Sequence, residues 1–289
     1  TVADDRVARE IRGKCHYSFL DSFATFFSSP RPAAPVPAPA PSPEPSPTCS
    51  PGMASSGIQL LVAGVTIMDS PVGYVPPRGP GGYFTVRHNH RETGQPGIFP
   101  FSNLGQKWTH DWLSYVEDNP TNPSANAYLF VRGGGRETLS GFDGSAYAPH
   151  YFSRGVLRRV TSSPIRYERT LPDGGVEVFT QSDGAATSPR RVFLTEARDP
   201  QGNALLLSYD SQLRLVSLTD AIGQVTILTY EMPSDPLKIT KVTDPFGRAA
   251  RFEYNDAGQL VRIVDVIGMA SSFEYGIGGY VRALTTPYG

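Results

Sequence analysis

Apolar and polar residues alternate along most of this chain in short runs that glycine-containing turns separate. Runs such as Val225–Tyr230 and Leu260–Val264 are rich in β-branched residues, which favour strands. Between residues 57 and 289, no stretch keeps a helical period of apolar residues over ten positions. The pattern therefore predicts an all-β fold of antiparallel hairpins.

The last third of the chain repeats itself, which indicates a repeat architecture. A tyrosine follows each of the first four turn glycines after seven residues. The glycines, spaced by 21, 24, 21 and 21 residues, and their tyrosines are Gly202, Gly223, Gly247, Gly268 and Gly289, with Tyr209, Tyr230, Tyr254 and Tyr275. Every repeat should thus supply the same strand–turn–strand–turn unit.

The turn sequences explain this unit chemically. Asp199-Pro-Gln-Gly202 has Asp first and Gly fourth, as in a type I turn, and Pro200 presets the backbone angle that the turn requires. We expect the glycines to adopt positive φ, as a hairpin with a bulge demands. A second turn falls midway through each repeat, most clearly at Asn255–Gly258. One hairpin cannot bury its apolar face alone, so neighbouring repeats should pair or stack.

The stretch Gly247–Gly268 resembles the YD repeat of RHS proteins, bacterial polymorphic toxins and teneurins, and Tyr209-Asp210 shows the Tyr-Asp pair itself. Other copies depart from the pattern: Leu213 replaces the mid-repeat glycine, three residues are inserted within Glu231–Leu237, and Thr286 replaces the closing Asp. The resemblance implies a coiled β-sheet shell. An ordinary antiparallel sheet with similar hairpins is the alternative.

A weaker resemblance to the N-terminal module of RHS proteins precedes the repeats. Its residues are an apolar run at Ile58–Met68, interpreted as one buried strand, a second strand at Tyr83–His90, the segment Leu104–Trp112 and the strand after Gly135. We accordingly divide the chain into a poorly defined leader (1–29), a Pro-rich disordered linker (30–56), this β module (57–198) and about four YD repeats with the start of a fifth (199–289).

The amino-acid composition limits the kinds of partner that this chain is expected to bind. Charged residues make up 18% of the chain and the net charge is −1, which argues against nucleic acid as a main partner. The longest apolar run, Ile58–Met68, is too short for a membrane span. Both cysteines, Cys15 and Cys49, lie in the leader and linker, so whether they are bridged stays open.

Two groups of side chains are candidates for metal binding. His88 and His90 should share one strand face and could bind a metal with His110, Asp111 and Glu92, although a solvated His-x-His on an exposed strand is the commoner arrangement. The second group consists of the turn aspartates Asp199, Asp220, Asp244 and Asp265. They could be mistaken for catalytic or calcium-binding carboxylates, but their spacing favours capping of the turn backbone.

No nucleophile motif accompanies these groups. No serine lies in a nucleophile elbow, neither cysteine has a histidine partner, and Gly133–Gly135 lacks the lysine and helix of a phosphate loop. We therefore predict a non-enzymatic protein with no catalytic, cofactor-binding or metal site. The important residues should be structural: the turn glycines, turn aspartates and packing tyrosines.

The resemblance implies two functions. The first is a segment of a shell that encloses and helps to deliver a C-terminal toxin or effector domain of the same polypeptide. The second is a module that binds surface carbohydrate or promotes adhesion. Aromatic residues buried in every copy would favour the shell, and aromatic residues clustered on a solvent face would favour carbohydrate binding. Either implies a secreted or cell-surface protein.

Overall fold

The computed structural model describes residues 53–59 and 64–288. They form nineteen strands in two antiparallel sheets, and their only helical element is a single 3-10 turn at Ile277–Gly279. The predicted all-β fold is confirmed. The leader and almost all of the Pro-rich linker lie outside the described residues.

The smaller sheet has four strands in sequential order among the described residues. They are β1 (Ser55–Gln59), β2 (Gly64–Val72), β3 (Phe84–Asn89) and β4 (Trp108–His110). The interpretation of Ile58–Met68 as one strand is wrong, because the chain reverses within it and Gln59 pairs with Gly64. Periodicity missed the reversal since no polar turn residue interrupts this apolar run.

The larger sheet contains the other fifteen strands of the described residues. They are β5 (Tyr115–Asp118), β6 (Ala127–Phe130), β7 (Arg136–Leu139), β8 (Val156–Ser162), β9 (Ile165–Thr170), β10 (Val176–Ser182), β11 (Arg190–Arg198), β12 (Ala204–Tyr209), β13 (Leu215–Thr219), β14 (Val225–Thr229), β15 (Lys241–Thr243), β16 (Ala249–Tyr254), β17 (Leu260–Val264), β18 (Ala270–Tyr275) and β19 (Val281–Thr285).

Consecutive strands from β8 to β19 pair with one another, so every repeat adds a hairpin to the same sheet. The sheet forks at β11, whose residues 190–193 pair with β5 and whose residues 196–198 pair with β12. The break between the two sheets thus falls between His110 and Tyr115. The predicted domain boundary at residue 198 remains a prediction.

The repeat strands are apolar on one face only. In β16, Ala250 and Phe252 are buried, whereas the alternating residues Arg251 and Glu253 are exposed. This two-residue period is what a half-buried antiparallel sheet requires. The buried face belongs to a core that also includes residues of the smaller sheet, such as Phe84.

The two ends of the large sheet differ. The edge of β8 is covered by the preceding loop, because Tyr147 N donates to Leu157 O at 2.9 Å and Arg159 N donates to Ser145 O at 2.8 Å. At the other end, β19 pairs with β18 alone among the described strands. Among the described residues, the run of strands from β8 to β19 is therefore covered at β8 and paired on one side only at β19, while β7 ends the branch that leaves the sheet at β11.

The predicted positive φ of the turn glycines is confirmed. The four glycines have φ between 80° and 87°; they are Gly202, Gly223, Gly247 and Gly268. The mid-repeat Gly258 has φ 72°, and Leu213, at the equivalent position of an earlier copy, is held at φ 58° although it carries a Cβ. The turn geometry therefore persists where the glycine is lost.

Replacing Gly247 with valine should lower the free energy of unfolding by more than about 1 kcal/mol, because a β-branched side chain is strained at positive φ. A Cβ at Gly247 meets nothing within 4 Å, so only the backbone conformation opposes it. Gly97 is the matched control, since its Cβ also meets open space but its φ lies outside the left-handed region. Equal denaturation midpoints for Gly247→Val and Gly97→Val would refute the turn geometry.

Candidate functional site

The turn aspartates lie along one rim of the large sheet, where each stabilises its own turn. In the best-preserved copy, Asp244 Oδ1 accepts hydrogen bonds from Phe246 N at 3.0 Å and Arg248 N at 2.9 Å. The equivalent pair of bonds forms at Asp199, Asp220 and Asp265. These carboxylates act as turn caps, as the sequence predicted, and each satisfies backbone donors of its own loop.

The repeat tyrosines form a ladder of hydrogen bonds across the sheet. Each hydroxyl donates to the backbone carbonyl of the residue fifteen positions earlier in the chain. The four bonds are Tyr209 to Leu194 (2.9 Å), Tyr230 to Leu215 (2.8 Å), Tyr254 to Ile239 (2.6 Å) and Tyr275 to Leu260 (2.5 Å). We call this set the tyrosine ladder.

The ladder hydroxyls are removed from bulk solvent. Burial raises the pKa of Tyr275 to about 12 and that of Tyr254 well above its usual value of 10. A buried carbonyl without a donor costs about 1–3 kcal/mol, so each hydroxyl stabilises the neighbouring repeat that it contacts. The ladder thereby ties every copy to the one before it.

The four-stranded sheet covers the apolar face of the last repeats. Trp108 packs against Phe273, with ring centres 4.8 Å apart, and its Nε1 donates to the hydroxyl of Tyr275 at 2.8 Å. Phe84 packs edge-on against Phe252 at 5.8 Å. The N-terminal sheet is thus joined directly to the end of the tyrosine ladder.

The end of β2 and the loop that follows it fasten the same sheet to the rim of turn aspartates. Tyr74 donates from its hydroxyl to Asp220 Oδ2 at 2.9 Å, and Val266 N donates to Pro71 O at 3.2 Å. Arg248 donates to Gly73 O at 3.0 Å. Three consecutive turns of this rim therefore contact one short segment, residues 71–74.

A second segment crosses the opposite rim, where the mid-repeat turns lie. Asn103 N donates to Leu237 O at 2.9 Å, and Ile239 N donates to Asn103 O at 3.1 Å. Ser102 Oγ accepts from Leu215 N at 3.2 Å. Because Asn103 occupies this rim where three residues are inserted, it satisfies backbone groups that a regular hairpin turn would otherwise pair.

The histidines predicted as an exposed pair are placed differently. His88 and His90 do share a face, with ring centres 5.1 Å apart, but His88 is completely buried and packs against Trp108. His110 is also buried and stacks on Phe84 at 4.8 Å. The expectation of a solvated strand was wrong because the strand faces the repeat sheet, which sequence periodicity cannot reveal.

The other members of the candidate metal set do not converge with these imidazoles. Asp111 forms an ion pair with Arg87 at 3.0 Å, and Glu92 accepts from Gly94 N at 2.6 Å. His90 Nε2 lies 3.2 Å from Val281 O. Within residues 53–59 and 64–288, no three potential ligands are arranged to hold a metal ion.

Three buried titratable groups lie in the smaller sheet without full hydrogen bonding. Neither ring nitrogen of His88 or His110 has a partner among the described residues, and one oxygen of Asp69 has none. Burial lowers the pKa of both histidines to about 3. Burial, with a smaller contribution from Asp265, raises the pKa of Asp69 to about 6. Burial therefore shifts all three groups toward their neutral forms; at pH 7 the two histidines are neutral, whereas Asp69 is still mostly ionised.

Sequence analysis identified the repeat residues but missed the residues that join the two sheets. Trp108 belongs to the segment that suggested an N-terminal module, yet nothing in the sequence indicated its contact with Tyr275. Asn103 and Tyr74 carried no repeat signal at all. A usable signal was the inserted loop before Lys238, since a longer turn leaves backbone groups that another segment must satisfy.

The family model described as RHS Repeat matches residues 237–266. This segment includes the Asp244 turn, Tyr254 and the Asn255 turn, which together make up the most regular copy. No curated protein matches the chain. The described residues contain no helix long and apolar enough to cross a membrane.

Acidification from pH 7 to pH 5 should destabilise the fold. Unfolded histidines bind protons below about pH 6.5, whereas His88 and His110 stay neutral in the folded protein to about pH 3. Each histidine should therefore lower the free energy of unfolding by about 2 kcal/mol over this interval. Asp69 has the opposite effect, because in the folded protein it takes up a proton near pH 6. Its protonation should raise the free energy of unfolding by about 1 kcal/mol.

Urea unfolding at the two pH values measures the resulting net loss, about 2–3 kcal/mol. The double variant His88→Gln/His110→Gln should not show this loss, whatever its absolute stability; it should keep only the Asp69 contribution, a gain of about 1 kcal/mol on acidification. The same pH dependence in both proteins would show that these imidazoles already bind protons in the folded state near pH 6.5.

Proposed function

Since this chain is an RHS-repeat protein, we propose that it forms the wall of a β-sheet shell that encloses a C-terminal toxin or effector domain of the same polypeptide. The observation that carries the proposal is the orientation of the repeats. All four ladder tyrosines direct their hydroxyls into the sheet that they join, and the apolar face they border is covered by the chain's own N-terminal sheet.

The distribution of charge supports this assignment of inside and outside. The uncovered face of the last repeats carries ion pairs between neighbouring strands, Arg262 with Glu253 at 3.2 Å and Arg282 with Glu274 at 2.9 Å. Such exposed pairs contribute little stability but keep a surface hydrated. The charged face is thereby distinguished from the apolar face, which the N-terminal sheet covers.

The ends of the sheet are also consistent with a growing wall. Strand β8, at one end of the sequential run, is covered by its own preceding loop, whereas β19 pairs with β18 alone among the described strands. In this proposal further repeats continue the sheet from β19, so no long edge remains exposed to other chains. Release of the enclosed domain outside the producing cell would make the protein secreted or bound to a cell surface.

Carbohydrate binding is a second candidate, and different residues would have to perform it. The ladder tyrosines are engaged with backbone carbonyls, so their rings are poorly placed to stack on sugars. Exposed aromatic rings occur instead at Tyr151 and Phe152, which are 74% and 83% exposed and pack edge to face with ring centres 5.0 Å apart. A glycan array with the Tyr151→Ala/Phe152→Ala variant as control tests this alternative.

Limited proteolysis of the full-length polypeptide tests the shell. The segment C-terminal to the repeats should resist cleavage in the intact protein but be cleaved when produced alone. Trp108→Ala removes the contacts with Phe273 and Tyr275, so it should loosen the N-terminal cover and expose the segment. Tyr151→Ala changes only a solvent-exposed ring and should leave protection intact.

Circular dichroism of Trp108→Ala would verify that the repeats remain folded. Rapid cleavage of the C-terminal segment in the unmodified protein would contradict the proposal. Equal resistance of the segment alone and within the protein would also contradict it, because protection would then come from its own fold.

A further inference from the structure

A cleft of about 630 Å³ opens on the rim of the mid-repeat turns. Its walls come from the crossing segment, at Phe99 and Lys107, and from three consecutive mid-repeat turns, at Lys238, Gly258 and Gly279. This volume is in the usual range of small-molecule sites, about 300–1,000 Å³. Apart from Tyr275, the residues that line the cleft are not those on which the proposed function rests.

The cleft forms where the repeats lose their regularity. The turn before it is lengthened by the insertion within Glu231–Leu237, and the turn after it has Gly276 where a capping Asp or Asn is expected. Gly278 and Gly279 follow, and both line the cleft without side chains to fill it. Two departures from the repeat thus flank one opening, whereas the Asn255 turn between them is regular.

Lys238 brings a buried cation to this cleft. Its side chain is only 7% exposed, and its Nζ donates to Asn103 Oδ1 at 2.6 Å. The nearest carboxylate, Asp235, lies 3.6 Å away and is 37% exposed. Burial lowers the pKa of Lys238, which means that the half-exposed carboxylate does not compensate the cost of desolvating the ammonium.

Lys107 is the second cation. Its Nζ donates to His90 O at 2.8 Å and lies 4.7 Å from the ring centre of Tyr280. Among the described residues, no carboxylate is within ion-pair distance of it. Two ammonium groups and one acidic side chain therefore line the cleft, which gives it a net positive charge.

The backbone at Lys107 adds an independent observation. Its φ is 66°, in the left-handed region that favours glycine. A lysine held there costs conformational energy, and such positions concentrate at ligand sites where the side chain is needed. The chain thus places a cation at the cleft in a backbone conformation that a glycine would adopt more easily.

The rest of the lining is largely apolar. Ile98, Phe99 and Leu237 contribute aliphatic and aromatic surface, while Gln106 and Gln259 supply amide groups. Phe99 lies beside the buried cation, with its ring centre 5.7 Å from Lys238 Nζ. An anion that enters this cleft would therefore meet a positive charge and an apolar wall together.

From this arrangement we propose that the cleft binds a small organic carboxylate with an apolar body. The carboxylate pairs with Lys107 and Lys238, and the apolar body packs on Phe99 and its aliphatic neighbours. Lysine suits this role because its ammonium binds as a point charge. A free carboxylic acid and the C-terminus of a peptide ending in an apolar residue share this chemistry.

Titration calorimetry on the chain 1–289 tests the charge requirement with 3-phenylpropionate and its neutral isostere 3-phenylpropionamide. The carboxylate should bind at least about ten-fold more tightly than the amide, as expected for a hydrogen bond assisted by charge. Comparable affinities for the two compounds, or no binding of the carboxylate, would overturn the proposal. N-acetylphenylalanine distinguishes the sources, since tighter binding than 3-phenylpropionate assigns a peptide C-terminus and weaker binding assigns a free acid.

Two substitutions at Lys107 separate the binding site from the fold. Lys107→Met keeps the length of the side chain without its charge, and Lys107→Gly also relieves the positive φ, so its melting temperature should not fall appreciably. Both should weaken binding of the carboxylate about ten-fold. Lys241→Met is the control, because Lys241 pairs with Glu231 at 3.7 Å and does not line the cleft. Unchanged affinity in either Lys107 variant would overturn the proposal, with no bearing on the shell.

Discussion

The structure depends on the burial of one face of a long, one-sided sheet. Each repeat supplies two strands whose inward residues are apolar, and no single hairpin can shield them from water. The N-terminal sheet provides that cover over the last repeats through Phe84 and Trp108, which pack on Phe252 and Phe273. Residues far apart in the chain therefore have to be present together before this face is stable.

Burial of the sheet also requires that its polar groups be satisfied locally. The turn aspartates accept hydrogen bonds from their own loops, and the tyrosine ladder donates to carbonyls of neighbouring strands. Each repeat consequently supplies hydrogen-bond partners for buried polar groups as well as apolar side chains for the core. The exceptions among the described residues lie in the covering sheet and not in the repeats; they are Asp69, His88, Thr109 and His110.

Local chemistry made the repeats predictable from sequence. The strand Leu260–Val264 was predicted with the observed bounds, because turn residues delimit it. The covering sheet was harder to predict: the run Ile58–Met68 contains a reversal without a polar marker, and the burial of His88 depends on a sheet contributed by residues far away. Periodicity identifies a face of a strand but not what that face contacts.

The cleft was unpredictable for a related reason. Lys238 looked like an ordinary charged residue after an insertion, and Lys107 like a surface lysine beside Trp108. Only the crossing of one rim by the segment around Asn103 brings both to the same opening. In this protein, the cleft with its two lysines therefore lies where the sequence departs from the regular repeat.

A double-mutant cycle on Trp108 and Tyr275 tests most directly whether the N-terminal sheet is joined to the end of the tyrosine ladder. Trp108→Phe removes the indole donor and Tyr275→Phe removes the hydroxyl that accepts from it at 2.8 Å, while both leave an aromatic ring. Urea unfolding of the four proteins should give a coupling energy of about 0.5–1.5 kcal/mol, as expected for a partly buried hydrogen bond. Strictly additive effects would show that the two sheets do not meet at these residues.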